Sequence, residues 1–322
     1  MHPISDHFDG SYFFNPDDLP ATRGLSSVMR WKMQSKPAKW PSFVPNPPFT
    51  PPPDKVAPGT AAITFIGHAT FLIRLDGMVI LTDPIFSERC SPVPWLGPRR
   101  VRLPGISLGG LPRPDLVLLT HNHYDHMDLP SLRQLQTMHA PPVVTTLGNA
   151  PALEKLGMTA TELDWWHHTQ VGPLRITCTP ARHFAARTPF DRNRTLWGGF
   201  MLEHRGGQIL FAGDSGKGPH WRQIQKRLGA PDVALLPIGA YAPRWFMGPV
   251  HMDPAQAVQA HVELGSRRSV GMHFGTFQLT DEPMDAPLVE LDAALPQAGI
   301  EPRHFTTLGF GETRIFPLQA SR

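Results

Sequence analysis

The chain has 322 residues, of which 41% are hydrophobic, and its 30 Lys and Arg against 27 Asp and Glu leave a formal charge of +3. That is enough apolar chain for one large domain or two small ones with a true core, while so mild a charge, with no basic block, argues against a nucleic-acid partner. Two cysteines, Cys90 and Cys178, exclude a disulfide scaffold and a Cys-rich zinc cluster, so any metal must rest on His, of which there are 16, and Asp.

The first residues, Met1-His2-Pro3-Ile4-Ser5-Asp6-His7, carry no basic stretch followed by an apolar core, and no apolar run approaches the ~20 residues needed to span a bilayer. A cytoplasmic protein is expected, with peripheral membrane contact left open. Residues 1–58 stand apart. Tyr12-Phe13-Phe14-Asn15-Pro16, Trp31, Trp40-Pro41, Phe43, Pro47-Pro48-Phe49 and Pro51-Pro52-Pro53 mix aromatics with prolines that break both helical and strand periodicity. They read as an arm packed on the body by its aromatics, or as an element of a greasy substrate entrance or a homodimer contact. Residues 59–322 form the candidate catalytic domain.

That domain opens with three short strands, Ala61–Ile66, Thr70–Leu75 and Met78–Leu81, the last two joined by the hairpin turn Asp76-Gly77. Residues 84–114 are a long Pro-, Gly- and Arg-bearing loop, a length that often signals function. Asp115-Leu116-Val117-Leu118-Leu119 reads as a buried strand, followed by helices at 129–138 and 150–156 and a strand at 142–146 between them. Further strands are read at 162–167, 174–180, 196–202 and 207–213, then a helix at 218–228. A strand at 233–237, a helix at 254–264, a strand at 269–273 and a helix at 287–295 follow, with a final strand pair at 305–308 and 313–316. Early hairpins followed by mixed strands and helices suggest two sheets sandwiched between helices.

The chemistry is concentrated where the buried strand ends, in Thr120-His121-Asn122-His123-Tyr124-Asp125-His126. His121 and His123, two apart, can aim at one point, and Asp125 and His126 can serve a second. A packed core has no use for so many titratable groups, whereas imidazole nitrogen and carboxylate oxygen are ligands that Zn(II) accepts. Three later positions repeat the pattern of a metal-capable side chain just after an apolar strand: His183, Asp214 and His273. Alone, His183 is a loop residue and Asp214 a helix cap. Together the seven are what two adjacent metal ions need.

These motifs resemble the metallo-β-lactamase-fold hydrolases over residues 60–316. Gly67-His68-Ala69-Thr70, Leu81-Thr82-Asp83-Pro84, the His121–His126 run, Trp245-Phe246-Met247, His251-Met252-Asp253-Pro254 and His273-Phe274-Gly275-Thr276-Phe277 are similar to the branch that hydrolyses N-acyl phosphatidylethanolamine as a phospholipase D. The resemblance implies an α/β, four-layer αββα sandwich of two mixed β-sheets flanked by helices. It implies two zinc ions per chain, one on His121, His123 and His183 and one on Asp125, His126 and His273, with Asp214 shared by both. All seven positions hold the expected residue types, although iron or manganese suits such ligands too.

The expected reaction is attack of a metal-bridging hydroxide on a phosphodiester, with Asp125 orienting the nucleophile and His251 holding the phosphate or protonating the leaving oxygen. His251 reads equally as a surface residue beside the helix that Asp253 caps. Asp83 is either the acceptor that fixes a ligand's ring tautomer or a turn residue before Pro84, and His68 either faces the cleft or fills its own turn. The expected substrate is an N-acyl phosphatidylethanolamine or related phospholipid. Phe13, Phe14, Trp31, Trp40, Val93, Trp95 and Leu96 are candidates for its entrance, and Arg99 and Arg100 for its headgroup. The alternatives are a lactonase or another phosphodiester hydrolase of the same fold, on a sugar-phosphate lactone or cyclic phosphodiester, and a non-catalytic binding module, which the loss of a ligand would favour; none is lost.

Overall fold

Two seven-stranded sheets face one another, and the computed structural model describes residues 2–16, 25–204 and 207–319 of the chain. Residues 17–24 of the arm and Arg205-Gly206 therefore lie outside the described residues. In the first sheet, β1 (Thr60–Gly67), β2 (Thr70–Leu75) and β3 (Met78–Thr82) run antiparallel, and β4 (Leu116–Leu119), β5 (Val143–Thr146) and β6 (Ala160–Leu163) continue it in parallel. The β2–β3 turn places Asp76 at φ 49° and Gly77 at φ 80°, both left-handed, as a two-residue hairpin turn requires.

The second sheet begins with antiparallel β7 (His168–Val171), β8 (Leu174–Thr179), β9 (Gly199–His204) and β10 (Gly207–Phe211). It goes on in parallel through β11 (Val233–Pro237), β12 (Arg268–Met272) and β13 (Phe305–Thr306). The last strand, β14 (Thr313–Pro317), crosses back to pair with β1. The two C-terminal strands expected to pair with each other thus close opposite sheets. Each is too short to show from its own residues which edge it completes.

Parallel strands need crossovers, and helices supply them. α2 (Leu129–His139) and α3 (Ala150–Glu154) cover the first sheet, and α4 (His220–Leu228), α6 (Pro254–Leu264) and α7 (Ala286–Gln297) belong to the second. Side-chain alternation assigns the layers. Ile80, Leu116 and Leu118 point into the large core shared with the second sheet. Val79, Leu81, Val117 and Leu119 point the other way, into a core with Leu132 and Leu135 of α2 and Leu153 of α3. Helix–sheet–sheet–helix layering follows. α6 shows why the sequence reading located it well: Asp253 caps it, its Oδ1 accepting from the Gln256 amide at 2.8 Å, Pro254 opens it, and Gly265 ends it at φ 61°.

The arm contains a helix that its composition did not suggest, α1 (Leu25–Gln34), and a four-residue helix, α5 (Arg244–Met247), lies against it. The described parts of the arm are tied down on both sides of residues 17–24. The Trp40 indole donates to Glu282 O at 2.9 Å, the Val44 amide to Val101 O at 2.7 Å and the Asn46 side chain to Leu103 O at 2.8 Å. Near its start His7 stacks on Trp165, with ring centroids 4.3 Å apart, and sits between Asp164 (2.7 Å) and Asp6 (2.6 Å).

Burial disfavours charge on His7, yet hydrogen bonds and charge from Asp164 and Asp6 prevail and raise its pKa. Asp164, despite its own burial, is held below the usual carboxylate range by His7. A raised His stabilises the fold below its unfolded pKa and loses that contribution as pH rises through the folded value; the Asp164 share is lost only in acid. The Phe13 and Phe14 amides, bonded to Asn193 O and His7 O, should therefore lose hydrogen-exchange protection as pH climbs through and above the ordinary histidine range, after correction for the intrinsic rate. In His7→Ala that dependence should vanish.

Candidate metal centre

The site forms where strands of both sheets end. Asp83 follows β3, His121 follows β4, Asp214 follows β10 and His273 follows β12, while His183 follows β8. All five are at least 97% buried, as is His126. One group of facing atoms is His121, His123 and His183; a second is His68, Asp125, His126 and His273; Asp214 joins His121 with His126, and His183 with His251. Within each group the ligand atoms lie within 4.8 Å of one another. The seven side chains His121, His123, Asp125, His126, His183, Asp214 and His273, the outermost 152 positions apart in sequence, thus converge on one place, with His68 and His251 beside them.

The spacing between these atoms is informative. Two atoms each about 2.1 Å from one tetrahedral zinc lie about 3.4 Å apart. His123 Nδ1 and His183 Nε2 are 3.2 Å apart. Asp214 Oδ2 is 3.2 Å from both His126 Nε2 and His273 Nε2, and Asp125 Oδ2 is 3.5 and 3.3 Å from the same two nitrogens. Asp214 Oδ1 is buried without a hydrogen-bond partner, a costly state in a dry site. The residues fit divalent metal ions.

Charge follows the same logic. Burial first, and then neighbouring imidazoles, push His121 well below the ordinary His value and His123 down to about 3. Burial likewise brings His183 to about 4. These rings are neutral and offer the lone pair a metal takes. Burial also opposes charge on His126 and His273, but Asp214 and Asp125 overcome it, raising His126 well above its ordinary value and His273 to about 9. Both carboxylates, against their own burial, are held well below the usual range by those histidines. The protons on His126 and His273 occupy the place that a cation would take.

Behind the ligands stands Asp83, fully buried. Its Oδ2 accepts from His126 Nδ1 and from Thr120 Oγ1, both at 2.6 Å, and its Oδ1 accepts from the Thr120 amide at 2.9 Å. The Thr120 hydroxyl in turn faces His121 Nδ1 at 2.9 Å. One carboxylate thereby orients two rings and turns their Nε2 atoms to the centre. His183 Nδ1 donates to Val250 O at 3.1 Å. His68 acts twice: its Nε2 donates to Asp125 Oδ2 at 2.9 Å, and its carbonyl accepts from the His273 amide at 2.8 Å.

A cavity of about 410 Å³ opens over the centre, lined by His123, Asp125, Asp214 and His251, by the apolar Val28, Trp31, Phe246 and Met247, and by Tyr124, Arg192 and Thr280. Larger hollows of about 530 and 650 Å³ lie elsewhere, against the arm. Of the expected entrance residues, Trp31 lines the cavity, whereas Phe13 is 1% exposed in the core and Trp40 is bound to Glu282. Trp95 and Leu96 are exposed but do not line it. Arg100 cannot meet a headgroup, because its guanidinium is buried and donates to the carbonyls of Ser87, Ile85 and Arg102. Arg99 pairs with Glu88.

Three supports carried no signal in the sequence. Arg187 donates to Asn122 O and Met127 O at 2.8 and 2.7 Å, bracing the ligand loop, and stacks 4.1 Å over Tyr124. Asn15 of the arm donates to His183 O at 2.9 Å. Ser215 accepts from the Arg182 amide and meets His220 Nε2, both at 2.9 Å. Apart from the Ser215–His220 contact, five residues apart, each bond joins distant segments, so no local pattern announces it.

The sequence profile of the Beta-lactamase superfamily domain matches residues 79–274. An uncharacterised protein of Mycobacterium tuberculosis is 39% identical over 76% of this chain, a region that makes up 65% of the relative, so the chain spans about two thirds of that protein. N-acyl-phosphatidylethanolamine-hydrolyzing phospholipase D 1 of Caenorhabditis elegans is 33% identical over 77% of this chain and 74% of its own length. Among solved structures, Igni18, a metallo hydrolase of Ignicoccus hospitalis, superposes with a TM-score of 0.62 at 24% identity, over 81% of this chain and all of that one.

If Asp83 governs two ligand rings, Asp83→Ala should weaken metal affinity by about 10- to 100-fold, read by competition with a chromophoric chelator. Thr120→Val, which removes only the link to His121, should cost less. Equal affinity in Asp83→Ala and the parent would show that the carboxylate merely packs.

Proposed function

Because the chain belongs to the metallo-β-lactamase superfamily and is a metal-dependent hydrolase of that fold, we propose that it is a binuclear zinc phosphodiesterase of phospholipase D type, acting on N-acyl phosphatidylethanolamine or a related phospholipid. The observation that carries the reading is the meeting of buried His121, His126, His183, His273 and Asp214 with half-buried His123 and Asp125 beside a cavity that Val28, Trp31, Phe246 and Met247 also line. The similarity to a phospholipase of that activity supports the branch.

One zinc would rest on His121, His123 and His183, a second on Asp125, His126 and His273, and Asp214 would serve both. When bound, the cations supply a nucleophile at neutral pH and stabilise charge on the phosphoryl oxygens. The remaining work falls to the chain. Asp125 Oδ2 accepts from His68 Nε2, which would hold that carboxylate where it orients the attacking water. His251 lines the cavity with its Nδ1 buried and unpartnered. Burial keeps that ring neutral, so it offers an N–H hydrogen bond to a phosphoryl or leaving oxygen and is not a cationic acid. The apolar side chains hold a lipid chain out of water. Hydrolysis of the phosphodiester would release a phosphatidic acid and an N-acylethanolamine.

His251 also lies near His183 and Asp214, within 4.8 Å in facing atoms, so it must be distinguished from an eighth ligand. His251→Ala should retain about two zinc ions per chain by elemental analysis while turnover falls on the order of 100-fold. Loss of zinc would make it a ligand, and near-normal turnover would remove it from the mechanism.

The metal-replete protein should cleave N-acyl phosphatidylethanolamine in preference to bis-nitrophenyl phosphate and to lactones. Cleavage of lactones alone would overturn the phosphodiesterase assignment. Protein that holds no zinc after purification without chelator and supply of the metal would favour a binding module.

A further inference from the structure

Helix α1 lies outside the matched family domain, residues 79–274, yet it walls the cavity over the metal centre. Val28 and Trp31 both line that cavity. Their spacing of three puts them on one face of the helix, while Met29 and Met33 turn outward, 58% and 84% exposed. The helix is anchored. The Trp31 ring stacks on Phe246 with centroids 4.9 Å apart at an interplanar angle of 21°. Its indole N–H donates to Asp281 Oδ2 at 3.4 Å, and Ser35 Oγ donates to Asp281 Oδ1 at 2.6 Å. The Arg30 guanidinium sits 4.8 Å over Trp245.

α1 and α5 thus make one roof, and the roof leads into the chemistry. The segment after α5 carries His251, whose carbonyl accepts from Arg244 Nη1 at 2.9 Å. A phosphodiester has two ester groups. With its phosphate against the candidate metal-binding side chains, a buried ester group would meet Val28, Trp31, Phe246, Met247 and Leu279. Among the side chains of those five only the Trp31 indole N–H can hydrogen-bond, and it is already committed to Asp281, although Tyr124, Arg192 and Thr280 line the same cavity. Such a wall selects an alkyl or acyl chain, each buried methylene tightening binding by up to about fourfold.

We propose that α1 is the selectivity element of this site, and that Trp31 reads an apolar chain next to the phosphate. The proposal rests on the phosphodiesterase reading only in taking a phosphate group to sit at the metal centre.

Binding of alkyl phosphates, which have no second ester to lose, tests it without turnover. Butyl, hexyl and octyl phosphate are titrated into the zinc-loaded full chain by calorimetry. In the parent, Kd should tighten by about tenfold or more from butyl to octyl. In Trp31→Ala that gain should shrink to about threefold or less, octyl phosphate losing more affinity than butyl phosphate, and Trp31→Phe, which keeps the ring against Phe246, should retain most of it. An equal chain-length gain in the parent and Trp31→Ala, an equal loss for butyl and octyl, or no binding of octyl phosphate to the parent would each overturn the proposal. A chain-length gain in a protein that hydrolyses no phosphodiester would leave α1 as the selectivity element and retire the phosphodiesterase reading instead.

Discussion

Three carboxylates, Asp83, Asp125 and Asp214, lie at the seam between the two sheets, and the balance of their negative charge constrains everything around them. Removing one such group from water without compensation costs several kcal/mol. Imidazoles surround the three: His126 touches all of them, at 2.6 Å from Asp83, 3.5 Å from Asp125 and 3.2 Å from Asp214. A proton on His126 balances only part of the charge. Divalent cations balance it fully and also satisfy Asp214 Oδ1, which otherwise has no partner. The site is therefore a hole in the fold's electrostatics that metal ions complete, which couples metal binding to stability.

The backbone is bent to the same end. Left-handed conformation in a residue with a side chain is uncommon, although Asp and His tolerate it better than most. Yet His68 (φ 59°), Asp83 (φ 30°) and His273 (φ 65°) all adopt it, each at or just past a strand end. Such a residue costs about 1–3 kcal/mol. The reward is direction. A strand that continued in β geometry would send its next side chain to one face of the sheet, whereas a left-handed residue swings it over the strand end, where all the ligands meet. Gly213, at φ 62°, does this for Asp214 without a Cβ, and its Cβ position would lie 2.7 Å from Gly198 O.

Much of this was legible in the sequence because the site is built from local punctuation. A buried strand such as Leu116–Leu119 reads as an unbroken apolar run, and a ligand placed after it stands out. Strand ends in series imply convergence, and the boundaries of β11 and α6 were read from apolar runs and caps. What was not legible depends on long-range pairing. The partner of β14 is β1, some 250 positions earlier. α1 is short and its face is modest, with Val28 and Trp31 amid polar and exposed residues, so only tertiary contact with Phe246 and Asp281 identifies it. The long loop at 84–114 looked like a headgroup site because of its arginines, but Arg100 spends its charge on three backbone carbonyls that hold the loop itself together.

The division between arm and catalytic domain is sharp in composition but not in the structure. Asn15 bonds the carbonyl of His183, the Phe13 amide bonds Asn193 O, and Asn193 lies on the loop that carries Arg187 to the carbonyls of Asn122 and Met127. One end of the arm thus steadies the ligand loop from behind while α1 covers the ligands from the front. A proline-rich segment suits this use: with few backbone donors to satisfy, it can cross the surface of two sheets without joining either. The superfamily domain supplies the ligands, and the segment before it supplies a brace and part of a wall. Val28 and Trp31 before the shared domain and Phe246 and Met247 within it line one cavity, so differences in selectivity between chains that share the seven candidate ligands would arise in a wall built from both, where metal chemistry places no constraint on sequence.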